Sequence, residues 1–362
     1  MHTALGSNLF TWFKLLARNK FLIDIRFLPK VLFITITVIF NIPFQLYEYL
    51  RYSKPIKKVK IKRPIFIVGH YRSGTTYLHN VLGKDPNFCF CSTYEALTPH
   101  VFLSIGGITK KILGWTMPAT RPQDNVEAGA EKPSEEEFAM GNISNISLTH
   151  GYYFPKNIFN VFYESVIFEK DKIKKTKHWK KHFDYFLKKL TYKNNGKQLL
   201  LKSPANTARI KEILELYPDA CFIHIHREPY AIYQSNINLY EKILPLLSFQ
   251  KVGNKFIEDF ILYSYEKTYK KFLIAKKVLP ANQLFEISYD AFVKLPLKEL
   301  QKAYIQLDLG DFAKAISCLE EEVKAVENYK TNNYSTLNNE TKSIIADKWS
   351  FMFEQYGYNK TV

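Results

Sequence analysis

Residues 64–82 read PIFIVGHYRSGTTYLHNVL, and this run alone predicts a strand, a tight loop and a helix in succession. The segment PIFIV is rich in β-branched and aromatic residues without polar alternation, which is typical of a strand buried on both faces. Gly69 ends the strand, and from Thr76 to Leu82 apolar side chains recur at helical spacing. The intervening GHYRSGT is therefore a strand-to-helix loop.

This loop has the skeleton of a phosphate-binding loop. Gly69 and Gly74 stand five residues apart, so backbone N–H groups can point inward while the helix N-terminus adds positive potential. A nucleoside triphosphatase carries lysine directly after the second glycine, where it reaches the β- and γ-phosphates. Here that position is Thr75, and the cation has moved inside the loop to Arg72. The loop predicts an anion site that differs from that of a triphosphatase.

The same pattern of a strand followed by a helix recurs later in the chain. Strands followed by helices of this length imply crossover connections and parallel pairing. The fold class is therefore α/β, with a central parallel β-sheet flanked by helices. The further strands are expected at 198–201, 220–225 and 284–288, and the helices at 205–217, 229–239 and 258–278.

A second motif, CFIHIHREPYAIYQS, occupies residues 221–235. It places Arg227 at the end of a buried strand and Ser235 about two turns down the helix that follows. Pro229 stands in the first helical turn, where its missing N–H costs nothing. A guanidinium can make a bidentate, charge-assisted contact with a phosphate, and a hydroxyl can donate to a remaining oxygen. Arg227 and Ser235 are therefore residue types that can bind a phosphate group.

Together the two motifs resemble those of the PAPS-dependent sulfotransferase family, in the bacterial-type version that carries an arginine in the phosphosulfate loop. The resemblance covers roughly residues 63–358. It implies a P-loop nucleotide-kinase-like sulfotransferase fold and 3′-phosphoadenosine 5′-phosphosulfate (PAPS) as co-substrate. By this resemblance the 5′-phosphosulfate is contacted by the loop residues Arg72, Ser73, Gly74, Thr75, Thr76 and Tyr77.

The resemblance also implies roles outside the loop. Arg227 and Ser235 would clamp the 3′-phosphate, which distinguishes PAPS from ordinary adenine nucleotides. Lys202, in LLLKSP, would point at the active site from the end of a central strand. Tyr289, in LFEISYDAF, would pack near the adenine, with plain core packing as the alternative. Lys330, in YKTNNY, would belong to a polar loop over the 3′-phosphate.

The general base is open between several groups. Arg72 is expected to stabilise the leaving phosphate while another side chain takes the acceptor proton. Glu95 stands about where several members with an arginine loop carry a catalytic glutamate, and a carboxyl in a closed apolar pocket has a raised pKa. A structural explanation exists for Glu137, because Ser134 and Glu137 have the spacing of a capping box. The other candidates are His100, His150, Glu136 and Glu137. No metal ligands cluster in the sequence, so no metal is expected.

The N-terminal residues 1–60 read as an apolar and basic helical extension, followed by a catalytic domain over 61–362. Residues 31–46 (VLFITITVIFNIPFQL) lack a charge but fall short of the ~20 residues that cross a bilayer. Seven basic residues and no acid follow between Arg51 and Arg63, which favours a helix in the interface of an anionic membrane. A helix packed on the enzyme and a spanning segment are the alternatives. The expectation is a cytoplasmic protein, peripherally associated with membrane.

Bulk composition leaves few other function classes. A formal net charge of +17 calls for an anionic partner, but no nucleic-acid-binding module is recognisable, so nucleic acid is not expected. A nucleotide kinase would leave Arg227 and Ser235 unexplained. The acceptor is expected to be a small lipophilic molecule, such as a sterol, a steroid-like compound or another lipid alcohol, because residues 95–155 are apolar with few charges. A carbohydrate is the alternative, and the oligomeric state cannot be read from the sequence.

Overall fold

The computed structural model describes residues 2–121, 126–169, 173–325 and 336–360. Within them, five parallel strands form one sheet in the order β2-β3-β1-β4-β5, flanked by helices. The predicted α/β class with a central parallel sheet is confirmed. The strands are β1 (Ile65–Val68), β2 (Phe88–Cys89), β3 (Gln198–Lys202), β4 (Cys221–His226) and β5 (Leu284–Ser288).

The strand register places the two sequence motifs side by side. All four residues of β1 are buried, as the unbroken apolar run predicted. Ile67 pairs with Lys202 of β3, and Val68 pairs with His224 of β4. The carboxyl ends of three neighbouring strands therefore meet at one edge of the sheet, which is where open α/β sheets bind ligands.

Helices cover both faces of the sheet and build the N-terminal and C-terminal layers. In the first half of the described chain they are α1 (Leu9–Arg18), α2 (Leu28–Phe40), α3 (Ile42–Lys57), α4 (Thr75–Leu82), α5 (Thr93–Leu97), α6 (Gly106–Thr116), α7 (Glu136–Ile143), α8 (Thr149–Tyr153) and α9 (Ile158–Phe162). In the second half they are α10 (Ile173–Lys193), α11 (Ile210–Leu214), α12 (Pro229–Leu247), α13 (Asn254–Lys276), α14 (Tyr289–Lys294), α15 (Pro296–Leu307), α16 (Phe312–Ala325), α17 (Asn339–Lys348) and α18 (Ser350–Tyr356).

The helix predicted over 205–217 is wrong in extent. The chain instead forms a 3₁₀ turn over Pro204–Ala208 and then the short helix α11. The Thr207 hydroxyl explains the interruption, because it accepts a hydrogen bond from Gly69 N at 2.8 Å and lies 3.1 Å from Gly69 O. This segment fastens the start of the loop after β1 to β3, a tertiary demand that local periodicity does not reveal.

The N-terminal extension packs on the rest of the protein. Trp12 of α1 is fully buried, and its indole donates to the Thr35 hydroxyl of α2 at 2.9 Å. Glu48 of α3 forms a buried ion pair with Lys189 of α10. In the described part of the chain no single helix is long and apolar enough to cross a membrane, and the segments Ile25–Phe40 and Ile42–Lys57 pass that test only as a pair bent by 42°. The division at residue 60 stays a prediction.

Candidate active site

The loop after β1 is held in an unusual backbone conformation. Arg72 and Gly74 have φ angles of 73° and 101°, and Gly74 is the N-cap of α4. The Ser73 hydroxyl donates to His70 O at 2.8 Å, which closes the turn from inside. A β-carbon on Gly74 would lie 2.5 Å from Cδ2 of Tyr289, so only glycine fits at this close approach. The loop is therefore a tight turn that leads directly into the N-terminus of α4.

The two motifs, 155 residues apart in the chain, meet at this loop. Arg72 Nε donates to the Ser235 hydroxyl at 2.8 Å, and Arg227 Nη1 donates to Arg72 O at 3.3 Å. The Arg227 guanidinium also stacks over the ring of Tyr289, 4.3 Å from its centroid. Two arginines, a hydroxyl and an aromatic ring thus surround the loop, a combination that suits a doubly anionic adenine nucleotide.

The remaining predicted donor residues lie along α4. Thr75 and Thr76 form its first turn, and Tyr77 packs against Phe292 of α14 with ring centroids 4.9 Å apart. Burial raises the pKa of Tyr77 to about 12, so its hydroxyl stays protonated at neutral pH. The structure brings all of these residues to the loop, and their contacts with a donor stay predictions. Lys330 lies outside the described residues.

Lys202 does reach the carboxyl edge of the sheet, where it meets two neighbouring acids. Its Nζ lies 2.7 Å from Oε1 of Glu135, and its backbone N donates to Oε2 of Glu136 at 3.2 Å. Burial, reinforced by the charge of Glu135, raises the pKa of Tyr71 well above its ordinary value. Glu135 is the first acid of the run SEEEF, and no sequence motif distinguishes it from the two acids that follow.

These neighbouring acids differ in access to solvent. Glu136 is 1% exposed, and its Oε1 accepts a hydrogen bond from Asn206 Nδ2 at 2.5 Å. Burial, with the nearby charges of Glu135 and Glu137, raises the pKa of Glu136 to about 7. The side chain of Glu135 is 17% exposed, so it alone among the three can meet a molecule that enters from outside.

Glu95 has a different environment from the one predicted for a base. Its Oε2 accepts hydrogen bonds from Ser92 N at 2.7 Å and from the Ser92 hydroxyl at 2.5 Å. The backbone N–H of Glu95 in turn donates to the Ser92 side chain, and this reciprocal pair is a capping box at the start of α5. The other carboxylate oxygen, Oε1, lies 2.5 Å from Nζ of Lys193. Glu95 is buried, with both oxygens engaged. Its catalytic role stays a prediction, and these contacts favour a structural one.

The capping box predicted for Ser134 and Glu137 is wrong. Glu135, and not Ser134, is the N-cap of α7, and its side chain makes no cap bond. Glu137 turns inward instead, because its carboxylate forms an ion pair with Arg209, at 2.5 Å between Oε2 and Nη1. Arg209 is fully buried and also donates to Ser165 O at 2.9 Å. Glu137 therefore serves the core beneath the site.

The two candidate histidines are bonded to backbone carbonyls of α7. His100 Nε2 lies 3.1 Å from Asn142 O, and His150 Nε2 lies 2.8 Å from Gly141 O. Burial lowers the pKa of each to about 4, so each is neutral at physiological pH. Their assignment as bases stays a prediction, and these bonds favour a role in fixing α7.

The C-terminal segment packs against the end of β4, directly before Arg227. His226 stacks on Tyr356 with centroids 3.8 Å apart, and its Nδ1 lies 2.7 Å from the Tyr358 hydroxyl. The Tyr356 hydroxyl donates to Glu286 Oε1 of β5 at 2.6 Å. Burial alone would raise the pKa of Glu286, but hydrogen bonds from His224, Lys276 and Tyr356 together with nearby charge lower it to about 2. These contacts fix the ends of β4 and β5 from behind.

A narrow apolar cavity lies against the other side of the loop. Its walls include His70 and Tyr71 from the loop and Leu148, Phe162, Tyr240 and Phe260 from the surrounding helices. In the described residues no group of three or more histidine, cysteine, aspartate or glutamate side chains could hold a metal ion. The expectation that no metal takes part stays a prediction.

Comparison with known proteins agrees with this geometry. The chain is 28% identical over 359 residues to omega-hydroxy-beta-dihydromenaquinone-9 sulfotransferase Stf3 of Mycobacterium tuberculosis and of Mycobacterium bovis, covering 98% of this chain and 91% of each relative. Its fold resembles sulfotransferase STF1 from Mycobacterium tuberculosis (TM-score 0.68, 17% identity, 94% of this chain and 90% of that one). It also resembles STF9 from Mycobacterium avium (TM-score 0.64, 17% identity, 86% and 81%). Residues 64–313 match the model of the sulfotransferase family, and the chain belongs to that family.

Proposed function

We propose that this sulfotransferase takes the sulfuryl group from PAPS and transfers it to a hydroxyl of a lipophilic acceptor. The observation that carries the proposal is the meeting of Arg72, Ser235 and Arg227 at one loop. Family membership decides against the alternative of a nucleotide kinase. The loop lacks the lysine of a triphosphatase, and its cations can reach two separate anionic groups.

The residues of the loop divide the donor between them. The backbone N–H groups of the loop and the first turn of α4, with Thr75 and Thr76, bind the 5′-phosphosulfate. Arg227 and Ser235 bind the 3′-phosphate, and Tyr289 borders the adenine. Arg72 neutralises charge that grows on the bridging oxygen as its bond to sulfur breaks, which is an interaction made mainly in the transition state.

The acceptor is proposed to be a lipid alcohol. The chain exposes large apolar side chains on its N-terminal helices and on α6, among them Phe33, Phe40 and Trp115. A relative with 28% identity along nearly the whole chain is named for sulfation of a hydroxylated menaquinone. These two observations favour a hydroxylated isoprenoid or another lipid alcohol over the alternative, a carbohydrate.

We further propose Glu135 as the general base. Its carboxylate stands at the carboxyl edge of the sheet, is partly exposed and is held by Lys202. The acceptor oxygen forms a bond to sulfur while the bond from sulfur to the phosphate oxygen breaks, and the acceptor proton passes to Glu135. The products are the sulfate ester and adenosine 3′,5′-bisphosphate. Lys202 keeps the carboxylate oriented before the reaction.

The donor assignment is tested by retention on immobilised adenosine 3′,5′-bisphosphate. We expect elution by the free bisphosphate and not by ATP, because only the bisphosphate carries a 3′-phosphate for Arg227. Transfer from ³⁵S-labelled PAPS to a panel of lipid alcohols, phenols and oligosaccharides then identifies the acceptor class. Elution by ATP at equal concentration contradicts the donor assignment, and preferred sulfation of an oligosaccharide contradicts the acceptor assignment.

The base is tested by matched amide substitutions. We expect Glu135→Gln to lower turnover by roughly 100-fold or more while affinity for adenosine 3′,5′-bisphosphate is kept, because the amide cannot take a proton. Glu95→Gln is the control, since it loses the ion pair with Lys193 but leaves Glu135 in place. If Glu95→Gln abolishes turnover in a fully folded protein and Glu135→Gln does not, the base is Glu95.

A further inference from the structure

An uncovered apolar surface runs along the N-terminal helices. Six large apolar side chains of α2 are between 48% and 68% exposed: Leu28, Leu32, Phe33, Ile36, Ile39 and Phe40. At helical spacing they fall within a sector of roughly 140°. The opposite face of α2 is anchored, because Val31, Ile34 and Val38 are buried in the main hydrophobic core. Helix α2 is therefore apolar on two faces, one buried in the protein and the other exposed.

Two neighbouring helices add to this apolar surface. Ile42, Leu46 and Leu50 of α3 are 38%, 55% and 68% exposed. Helix α6 presents a further stripe of Ile108, Ile112 and Trp115, with the tryptophan 85% exposed. The start of α6 is tied to α3, because Glu48 accepts hydrogen bonds from Leu103 N at 2.8 Å and Ser104 N at 2.7 Å. Contiguous apolar exposure of this kind marks an interaction surface.

The charge around this surface is almost entirely positive. Residues 1–63 contain twelve lysines and arginines against two acids, Asp24 and Glu48. Glu48 is already neutralised by Lys189, and Asp24 accepts a hydrogen bond from Lys251 N at 2.9 Å. The end of α3 and the segment after it expose a row of cations: Arg51, Lys54, Lys57, Lys58, Lys60 and Lys62.

We propose that this surface docks the protein on an anionic lipid bilayer. Each cation beside such a surface contributes about 1 kcal/mol of attraction to acidic headgroups, and the apolar side chains enter the acyl boundary. The buried inner face of α2 keeps the helix parallel to the membrane, because a spanning arrangement would pull Val31, Ile34 and Val38 out of the core. Charge of this sign and density distinguishes a lipid surface from a second copy of the chain, which would bring a like charge to the same place.

The docking surface connects to the proposed active site through α6 and α7. Asn142 of α7 donates to Thr3 O at 3.0 Å, so the N-terminal segment packs on the helix that begins next to Glu135. A bilayer under α2 and α3 therefore lies near α7, the helix that begins beside the proposed base, so a lipid alcohol could reach that base from the membrane. This last step rests on the proposed function, whereas the docking itself does not.

Binding to vesicles tests the docking without donor or acceptor. The probes are vesicles of phosphatidylcholine alone and of phosphatidylcholine mixed with phosphatidylglycerol, in a flotation assay with the full chain. We expect strong binding only to the mixed vesicles, weakening with added salt. Leu32→Ser/Ile36→Ser and, separately, Lys57→Glu/Lys58→Glu should each lower the partition coefficient by roughly tenfold or more. Ile274→Ser/Ile305→Ser is the matched control, since those side chains are 71% and 76% exposed on α13 and α15.

Circular dichroism and thermal unfolding show that each variant is folded, independently of the proposed donor. Equal partition of wild type and the Leu32→Ser/Ile36→Ser variant overturns the proposal. Equal binding to neutral and anionic vesicles overturns the electrostatic part. A dimer in sedimentation that this variant dissociates, without vesicle binding by the wild type, means that the surface pairs two copies. A protein that binds vesicles yet transfers no sulfuryl group would refute only the proposed function.

Discussion

Replacing Gly74 with alanine is the sharpest test of how the loop is built. The residue has a φ of 101°, where an L side chain is strained by about 1–2 kcal/mol. The added β-carbon would also lie 2.5 Å from Cδ2 of Tyr289, and forced overlap of this kind costs about 1–3 kcal/mol. We therefore expect Gly74→Ala to lower the free energy of unfolding by about 2–5 kcal/mol. Binding of adenosine 3′,5′-bisphosphate should weaken as well, because a displaced Tyr289 no longer supports Arg227.

A second glycine separates the two costs. Gly196 has a φ of 83°, but a β-carbon there meets nothing within 4 Å, so Gly196→Ala measures backbone strain alone. Urea unfolding of both variants, and of Gly74→Ala combined with Tyr289→Ala, then isolates the steric cost. The double variant should recover that part when compared with Tyr289→Ala as its reference. Equal destabilisation by Gly74→Ala and Gly196→Ala, with unchanged bisphosphate binding, would refute this account of the loop.

Three further predictions concern single charges. Arg227→Ala should weaken binding of adenosine 3′,5′-bisphosphate by roughly 10- to 100-fold, as expected for loss of about 1.5–3 kcal/mol of charged hydrogen bonding. Binding of adenosine 5′-monophosphate should be unchanged. Equal losses for both ligands in calorimetry contradict the proposed contact with the 3′-phosphate. Glu137→Gln should lower the free energy of unfolding by about 3 kcal/mol, because it leaves Arg209 buried without its counter-charge; urea unfolding near wild-type stability contradicts this. The pKa of Glu286 is lowered to about 2, so its charge stabilises the fold above pH 4.5 and this contribution is lost as the pH falls toward 2. The difference in unfolding free energy between wild type and Glu286→Gln should therefore shrink over that range. A constant difference contradicts the assignment.

The sequence located the central strands because burial on both faces leaves a strong local signal. The strand predicted at 64–68 matches β1 to within one residue, and all four residues of β1 are buried. The edge strand β5, predicted at 284–288, instead alternates between buried and partly exposed residues. Strand β2, with only two residues, left no such signal, because two residues carry no period. The interruption after Pro204 depends on a bond to Gly69, which lies 138 residues away from Thr207. Information of that kind is tertiary and is absent from any local window.

The candidate site was predictable where a motif specifies the residue. It was not predictable where several residues of one type stand close together in the sequence and tertiary packing decides the role of each. Arg72 and Ser235 meet as the motifs implied. The sequence offers two segments with the spacing of a capping box, and the chain uses Ser92 with Glu95. Acids that look alike in the run SEEEF point in different directions once α7 begins at Glu136, so one joins Lys202 and another joins Arg209. Only the tertiary structure distinguishes them.

The bond between Arg72 and Ser235 has a consequence for discrimination between nucleotides. It ties the side chain proposed to act on the sulfuryl group to the hydroxyl proposed to bind the 3′-phosphate. A serine hydroxyl can accept one hydrogen bond and donate another, so Ser235 can keep its bond from Arg72 while it donates to a 3′-phosphate. Under the proposed roles, a nucleotide without that phosphate would forgo this second bond and bind more weakly. Loss of the hydroxyl would then disturb the position of Arg72 as well as the contact with the 3′-phosphate.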